Sequence, residues 1–480
     1  MIIGREKEEA KLNELYHSGR AELVAVYGRR RVGKTFLVEQ VFKDKMTFQH
    51  AGLSPIEIKE KSGVRPMRQQ LEAFYYALLY HGMKKTHIPK SWLEAFIMLE
   101  MFLRDRDDGS RQVVFLDEIP WMDTKKSDFL TGLETFWNEW GCHRSNLMVI
   151  VCGSESSWML SRLTKRDGGL RQALTCEMKL EPFTLKQCEK FLDSRNIRFS
   201  RYDIAQSYMI VGGIPYYLKY FDRCKSLAQN VNAMFFEEGA NLRQEYDRLF
   251  SSIFRNPEQM KDIVEFLNQR SYGFTRKEII EHTNAKDGGK LSENLHALIA
   301  CNFVMSYVPF GRKKETHYKL IDPFCIFYLN FVKDRKELDN TFWQENASSQ
   351  RISSWRGYAF ENLCFCHIPQ IKMALGVLNV GSEESAWVQH GGDGQPGTQI
   401  DMLIVRKDNV INMCEMKFYQ RAFQATGKED LQLRNRQAML GEVIRKRKVI
   451  HNTLICTFGL VENEYSHIFQ QVITLDKLFE

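Results

Sequence analysis

The run Gly28-Arg29-Arg30-Arg31-Val32-Gly33-Lys34-Thr35 places two glycines, a lysine and a hydroxyl residue at the spacing GxxxxGK[ST]. Each residue type has a task. Glycine lets the main chain wrap an anion. The amides of the loop, and of a helix starting there, then point at phosphate oxygens. Lys34 is placed to reach the terminal phosphates of a nucleotide, and the Thr35 hydroxyl to ligate Mg2+. The loop follows the apolar stretch "AELVAVYG" (21–28) and leads into "FLVEQVF", so it joins a strand to a helix. Gly28 through Phe36 are the candidate nucleotide-binding residues of this region.

A second cluster lies in "VVFLDEI" (113–119). Asp117, at the tip of an apolar strand, suits the Mg2+ shell. Glu118 suits the polarising of a water that attacks the γ-phosphate. A further apolar run, "VIVCGSESSW", ends in Ser154, which would lie near that phosphate if its strand neighbours the loop strand. "TKRD" (164–167) has the form of a guanine-reading motif but follows no clean strand; the Asp-Glu pair points to ATP.

A separate constellation appears late in the chain. "QIDMLIVRKDNVINMCEMKF" reads as strand, turn, strand. A turn centred on Asp408, with Asn409 able to adopt a left-handed conformation, sets Val405 opposite Ile411 and Leu403 opposite Met413. It also sets Asp401 opposite Glu415, and the period of two puts Lys417 on the face of Glu415. Facing carboxylates repel and would weaken a hairpin unless a cation offsets them. Two acids sharing a divalent ion, with a lysine steadying a water or hydroxide, are equipment for phosphodiester cleavage. Glu-x-Lys alone is common on strands, so the reading rests on the ordered set.

The elements that must position these groups follow from periodicity. Strands at 21–28, 111–122 and 146–154 alternate with helical stretches such as "TGLETFWNEW", which indicates an α/β layer with a parallel sheet. After about residue 180 the pattern turns helical. Residues 257–320 read helix, turn, helix, turn, helix, hairpin, the pattern of a winged helix. Residues 339–356 are polar and aperiodic and are expected to be a linker. Residues 357–480 begin with the helix "GYAFENLCFCHI" and continue as strands near 386–389, 399–405, 410–417 and 452–458. The expected division is 1–180, 181–250, 251–338, the linker 339–356, and 357–480.

A chain of 480 residues is too long for one core. Its 44% hydrophobic and 26% charged content is ordinary for a globular protein, and a net charge of +7 permits a polyanionic partner without demanding one. The 11 cysteines form no CxxC pair; the closest spacing is Cys364-x-Cys366, which fits a reducing cytosol better than a disulfide framework. "MIIGREKEEA" lacks the apolar run of a signal peptide, and no stretch reads as a spanning helix, so a cytoplasmic protein is expected.

The segments "IIGREKE", "YGRRRVGKT", "FLDEIPWM", "IVCGSES", "GGLRQALTCEMKLEPF" and "VGGIPYYL" together resemble the AAA-like ATPases of bacteria and archaea related to the STAND signalling NTPases. The resemblance runs from Ile2 to about Phe331. It implies that Gly4-Arg5-Glu6 helps form an adenine pocket. It also implies that the turn Gly212-Gly213-x-Pro215 brings a helical lid onto the nucleotide. The triple arginine is usual for that family. Relatives carry an arginine at the position that is Ala173 here, so Arg171 or Arg166 would serve as the transition-state arginine, or hydrolysis would be weak. In the winged helix, "GGKLSENLHALIACNFV" would be the recognition helix and Arg312, Lys313 and Lys314 the wing. Contact with DNA and packing within the chain both remain open for it.

Asp401, Glu415 and Lys417 resemble the PD-(D/E)xK restriction-endonuclease-like site, over roughly residues 355–480. That fold also uses an acid on a preceding helix, and Glu361 in "GYAFENL" fits the place. "RNRQ" (434–437) and "RKRK" (445–448) would give a basic flank or a solvated helix face. The expectation is thus a P-loop ATPase with a helical lid, a winged helix and a nuclease-like α/β domain. It would use ATP and Mg2+, act on DNA, and form a nucleotide-dependent homo-oligomer. A regulatory switch with a catalytically silent C-terminal domain is the alternative.

Overall fold

The computed structural model describes residues 2–54, 57–58, 65–163, 169–254, 256–283, 286–312, 315–335, 339–389, 398–444 and 448–480. The chain forms two compact units, one of residues 1–182, 247–260 and 292–301 and one of residues 183–246, 261–291 and 302–480. The expected motif "TKRD", Arg166, Lys313, Lys314 and most of "RKRK" lie outside the described residues.

In the first unit the strands are β1 (Glu22–Tyr27), β2 (Met46–Ala51), β3 (Gln112–Asp117), β4 (Leu147–Gly153) and β5 (Cys176–Lys179). They pair in the order β2-β3-β4-β1-β5, every pair parallel. All residues of β1, β3 and β4 are buried, as near-continuous apolar runs covered on both faces should be. Parallel neighbours need long crossovers, and helices such as Lys34–Val41 and Trp92–Asp105 supply them. Ser91 starts the second of these by accepting a hydrogen bond from the Glu94 amide. Its Trp92 meets Phe129 edge to face at 4.9 Å in the core. β4 lies directly beside β1, so Ser154, just past its end, belongs to the loop's end of the sheet.

The stretch after residue 180 is helical, with helices Leu185–Ser194, Arg201–Val211, Pro215–Leu218 and Leu227–Phe235. Along the chain there follow helix Pro257–Leu267, strand β6 (Phe274–Thr275), helices Arg276–His282 and Gly289–Ala300, and the hairpin β7 (Val304–Tyr307) and β8 (His317–Leu320). β6, β8 and β7 form a small antiparallel sheet in that order.

The C-terminal sheet holds β9 (Ser382–Gln389), β10 (Thr398–Arg406), β11 (Val410–Lys417), β12 (Val449–Cys456) and β13 (Gln471–Thr474). Their order is β13-β12-β11-β10-β9, antiparallel from β9 to β11 and parallel from β11 to β13. The register expected from Asp408 is observed: Leu403 pairs with Met413 and Val405 with Ile411. Asn409 has φ 68°, the left-handed conformation the turn requires. The fully buried Asn412 pins the neighbouring strands. Its amide donates to Thr453 Oγ1 at 3.0 Å and to Gln471 Oε1 at 2.9 Å.

Two differences from the sequence reading stand out. Residues 339–356 are not an aperiodic linker; they form helix Phe342–Asn346 and the first turns of helix Gln350–Cys366. The apolar Ile352, Trp355 and Ala359 sit at helical spacing among serines and arginines. Trp343 and Trp355 pack edge to face on Phe327 and Phe331. β13, at the far edge of the sheet, was not foreseen, because four residues give too short a pattern. Among the described residues no helix is long and apolar enough to cross a membrane.

Asn409→Val puts a β-branched residue at a left-handed position and should destabilise by about 1–2 kcal/mol, whereas Asn409→Gly should stay near wild type. Thermal melting of both variants checks this; equal melting points would refute the strain argument.

Candidate functional site

The loop after β1 is built round its two glycines. Gly28 has φ 145° and Gly33 φ 94°. A Cβ on Gly28 would also collide with the carbonyl of Leu180, so only glycine fits there. Lys34 is buried, and its ammonium donates to the carbonyls of Gly28 at 3.0 Å and Arg29 at 3.3 Å. Thr35 Oγ1 donates to Asp117 Oδ2 at 2.6 Å. The two groups assigned to the Mg2+ shell therefore converge, although they come from different strand ends. Glu118 takes a left-handed backbone at φ 49°, and its Oε2 accepts from the Ser154 amide at 2.9 Å and hydroxyl at 2.8 Å. Burial pushes the Glu118 carboxyl above its ordinary range, while the Lys34 charge and the Ser154 hydrogen bonds oppose it. Asp117, Glu118, Ser154, Lys34 and Thr35 thus form one connected group.

The remaining expected nucleotide residues divide. Val32 is buried and Phe36 is 51% exposed. Arg29 is almost fully buried, and the Arg30 guanidinium lies over the Trp121 ring at 5.5 Å. Arg5, beside the left-handed Gly4, donates to the carbonyls of Val32 at 3.2 Å and Glu181 at 2.7 Å. In this arrangement it braces the loop. Arg171 is exposed on the short helix Gly169–Ala173, and among the described residues no hydrogen bond or ion pair joins it to the group around Glu118. Pro215 opens helix Pro215–Leu218 and belongs to the second unit.

In the second unit the acids expected on β10, β11 and the preceding helix do share one neighbourhood. Helix Gln350–Cys366, carrying Glu361, packs on β11. Glu415 is held from two sides: Lys417 Nζ lies 2.8 Å from Oε1, and Arg436 Nη1 2.7 Å from Oε2. Asp401 accepts from the Gln399 amide. Glu361 Oε2 is buried with no hydrogen-bond partner among the described residues.

Burial raises the Glu361 carboxyl to about 8; Asp401 raises it further and Lys319 opposes. Burial also raises Asp401, against the charge of Lys319. At Lys417 burial works downward, but the charge and hydrogen bond of Glu415 outweigh it and the ammonium is raised.

Lys319 is the residue that sequence reasoning missed. It lies on β8, 4% exposed, with its ammonium 4.6 Å from the centre of the Phe365 ring. Burial lowers it, and Glu361 and Asp401 pull the other way. The available signal was its place in "HYKL", where His317 and Lys319 alternate inward on a strand. Arg436, read only as part of a basic flank, is a direct partner of Glu415. Among the described residues no three acidic, histidine or cysteine side chains are arranged as a ready metal cage. Glu361, Asp401 and Glu415, the acids expected to hold a metal, are brought into electrostatic contact, with Glu415 already committed to two cations.

Residues 2–221 match the model of a family described as an ATPase domain predominantly from Archaea. An uncharacterized protein of Methanocaldococcus jannaschii is 23% identical over 375 residues, which cover 76% of this chain and 76% of that protein. An uncharacterized ATP-binding protein of the same organism is 38% identical over 45 residues, 9% of this chain and 76% of that one. Among solved structures, the Walker-type ATPase of Pyrococcus abyssi aligns over 69% of this chain and 96% of its own, with TM-score 0.47 and 17% identity. The ORC2 protein of Aeropyrum pernix, in complexes with ADPNP and ADP, aligns over 72% of this chain and 95% of its own, with TM-score 0.42 and 13% identity.

The Glu361 carboxyl gives a pH signature. Its ordinary value of 4.5 is raised to about 8, so between those values the folded chain keeps a proton that the unfolded chain has lost. Stability from this group is complete below the lower value and falls as pH rises through the upper one. Glu361→Gln has no proton to lose. In EDTA its unfolding free energy, from urea titrations, should match wild type near the lower pH and exceed it near the upper, by a few kcal/mol at most. A difference that does not change with pH would show that Glu361 is ordinarily ionised.

Proposed function

We propose, on the premise that residues 2–221 belong to an ATPase family predominantly from Archaea, that this protein binds and hydrolyses ATP and couples its nucleotide state to a metal-dependent, nuclease-like site acting on DNA. In this reading residues 1–180 are the ATPase core, 181–250 its helical lid, 251–338 a winged helix and 357–480 the nuclease-like domain.

The observation that carries the ATPase part is the connected group at the loop. Lys34 brings a positive charge to the terminal phosphates. Glu118, oriented by Ser154, takes the proton of the attacking water. The convergence of Thr35 Oγ1 and Asp117 Oδ2 fits Mg2+, which when bound would neutralise charge across the β- and γ-phosphates. Arg171 stands as the candidate transition-state arginine. Nucleotide-dependent self-association remains part of the proposal.

The nuclease part is supported by Asp401, Glu361, Glu415 and Lys417 drawing together around β10 and β11, the inner strands of the C-terminal sheet. The unpartnered Glu361 Oε2 beside Asp401 fits a divalent ion, which when bound would polarise a phosphodiester. Lys417, held by Glu415, steadies the attacking water, and Arg436 fixes Glu415 from the other side. One observation favours the second reading, a regulatory switch with a silent C-terminal domain. Glu415 is neutralised by two cations, and Lys319 supplies a third positive charge beside the other acids.

Lys34→Ala should lose ATP binding in calorimetry. Glu118→Gln should keep binding while hydrolysis falls about 100-fold or more; equal turnover would remove Glu118 from its role. With Mg2+ or Mn2+, wild type should cleave plasmid or branched DNA and Asp401→Ala should not. Identical behaviour of the two would leave the switch as the function. Comparing wild type with Lys34→Ala, with and without ATP, tests the coupling: cleavage indifferent to both would end it.

A further inference from the structure

We infer that the cavity beside Asp401 takes up an unpaired strand of DNA, one nucleotide at a time, in preference to a duplex. This rests on the nuclease reading of the acid site and deepens it by naming the form of its substrate.

The cavity has a volume of about 720 Å³. Pockets of ~300–1,000 Å³ hold single small molecules. Glu361 and Asp401 lie in its lining, with residues 267–272 forming one wall and helix Gln350–Cys366 another. A duplex is too broad and stiff to carry a phosphodiester into such a space. A single strand bends into it, much as enzymes that work on a base must first remove it from the stack.

The lining has the three kinds of group that a nucleotide needs. Arg351 brings positive charge for the backbone, and Arg270 and Arg436, paired with Glu278 and Glu415, keep further N–H donors in the lining. Tyr358 is 55% exposed at the cavity and offers a ring face to a base, as aromatic side chains do in proteins that bind single strands. Trp355 and Asn362 are each only 7% exposed, yet Trp355 Nε1 and Asn362 Oδ1 have no hydrogen-bond partner among the described residues. Buried polar atoms are rarely left so. A donor and an acceptor beside an exposed ring would match the mixed edge of a base or sugar once a small side-chain shift uncovers them. The third unpartnered atom there, Glu361 Oε2, lies at the proposed reacting end.

The test uses the full chain in EDTA with a fluorescein-labelled 12-nucleotide DNA strand, its 12-base-pair duplex, and the RNA strand of the same sequence. Anisotropy should show the DNA strand bound at least about tenfold more tightly than the duplex. Tyr358→Ala should weaken the single strand about tenfold and leave the duplex within about twofold, and Tyr358→Phe should bind as wild type. Equal or tighter binding of duplex or RNA, no binding of the DNA strand, or an unchanged Tyr358→Ala would overturn the inference. Strand binding of the expected kind, with no Asp401-dependent cleavage in Mn2+, would remove the nuclease reading and leave the occupant of the cavity standing. Asp401-dependent cleavage without strand preference would do the reverse.

Discussion

A carboxylate taken out of water loses hydration that only a cation, a hydrogen bond or a proton can replace. The C-terminal part of this chain uses all three within one small volume. Glu415 is matched by Lys417 and Arg436, Asp401 by the amide of Gln399, and Glu361 by the proton it holds to about pH 8. Lys319 arrives from a different sheet and tempers the field of Glu361 and Asp401 together. The acid site is therefore not the property of one hairpin. It exists because β8, β10, β11, the helix Gln350–Cys366 and Arg436 are all held in register around it.

The nucleotide loop follows the same electrostatic logic with different means. There backbone groups do much of the balancing. Lys34 rests on two loop carbonyls, Glu118 on the amide and hydroxyl of Ser154, and Asp117 on the hydroxyl of Thr35. These contacts come from the ends of β1, β3 and β4, which the parallel sheet places side by side. The position of the group is a consequence of strand order.

Much of this is legible in the amino-acid sequence. Local rules with a fixed period transmit well: the turn at Asp408 determined the register of β10 on β11, and Asn409 was recognisable as a residue tolerant of positive φ. The strand–loop–helix context of Lys34 was equally local. What could not be read depends on distant packing. Helix Gln350–Cys366 starts inside a run of serines and arginines, and its buried stripe emerges only against Phe327 and Phe331. Lys319 drew no assignment from the sequence because nothing near it announces the acids 42 and more positions away. Arg5 illustrates a third case. It was expected to help form an adenine pocket, and its guanidinium serves main-chain carbonyls of the loop and Glu181.

The amide of Asn412 has a consequence for how the molecule is made. One of its partners, Gln471, lies on a strand synthesised after every other part of the acid site. Until that strand has joined the sheet, the polar clamp across β11 and β12 is incomplete, and the strand carrying Glu415 and Lys417 lacks its final restraint. A half-made polypeptide emerging from the ribosome would hold the acids without a settled arrangement of them. The strand bearing Glu415 and Lys417 is thus fully restrained only once β13 has joined the sheet.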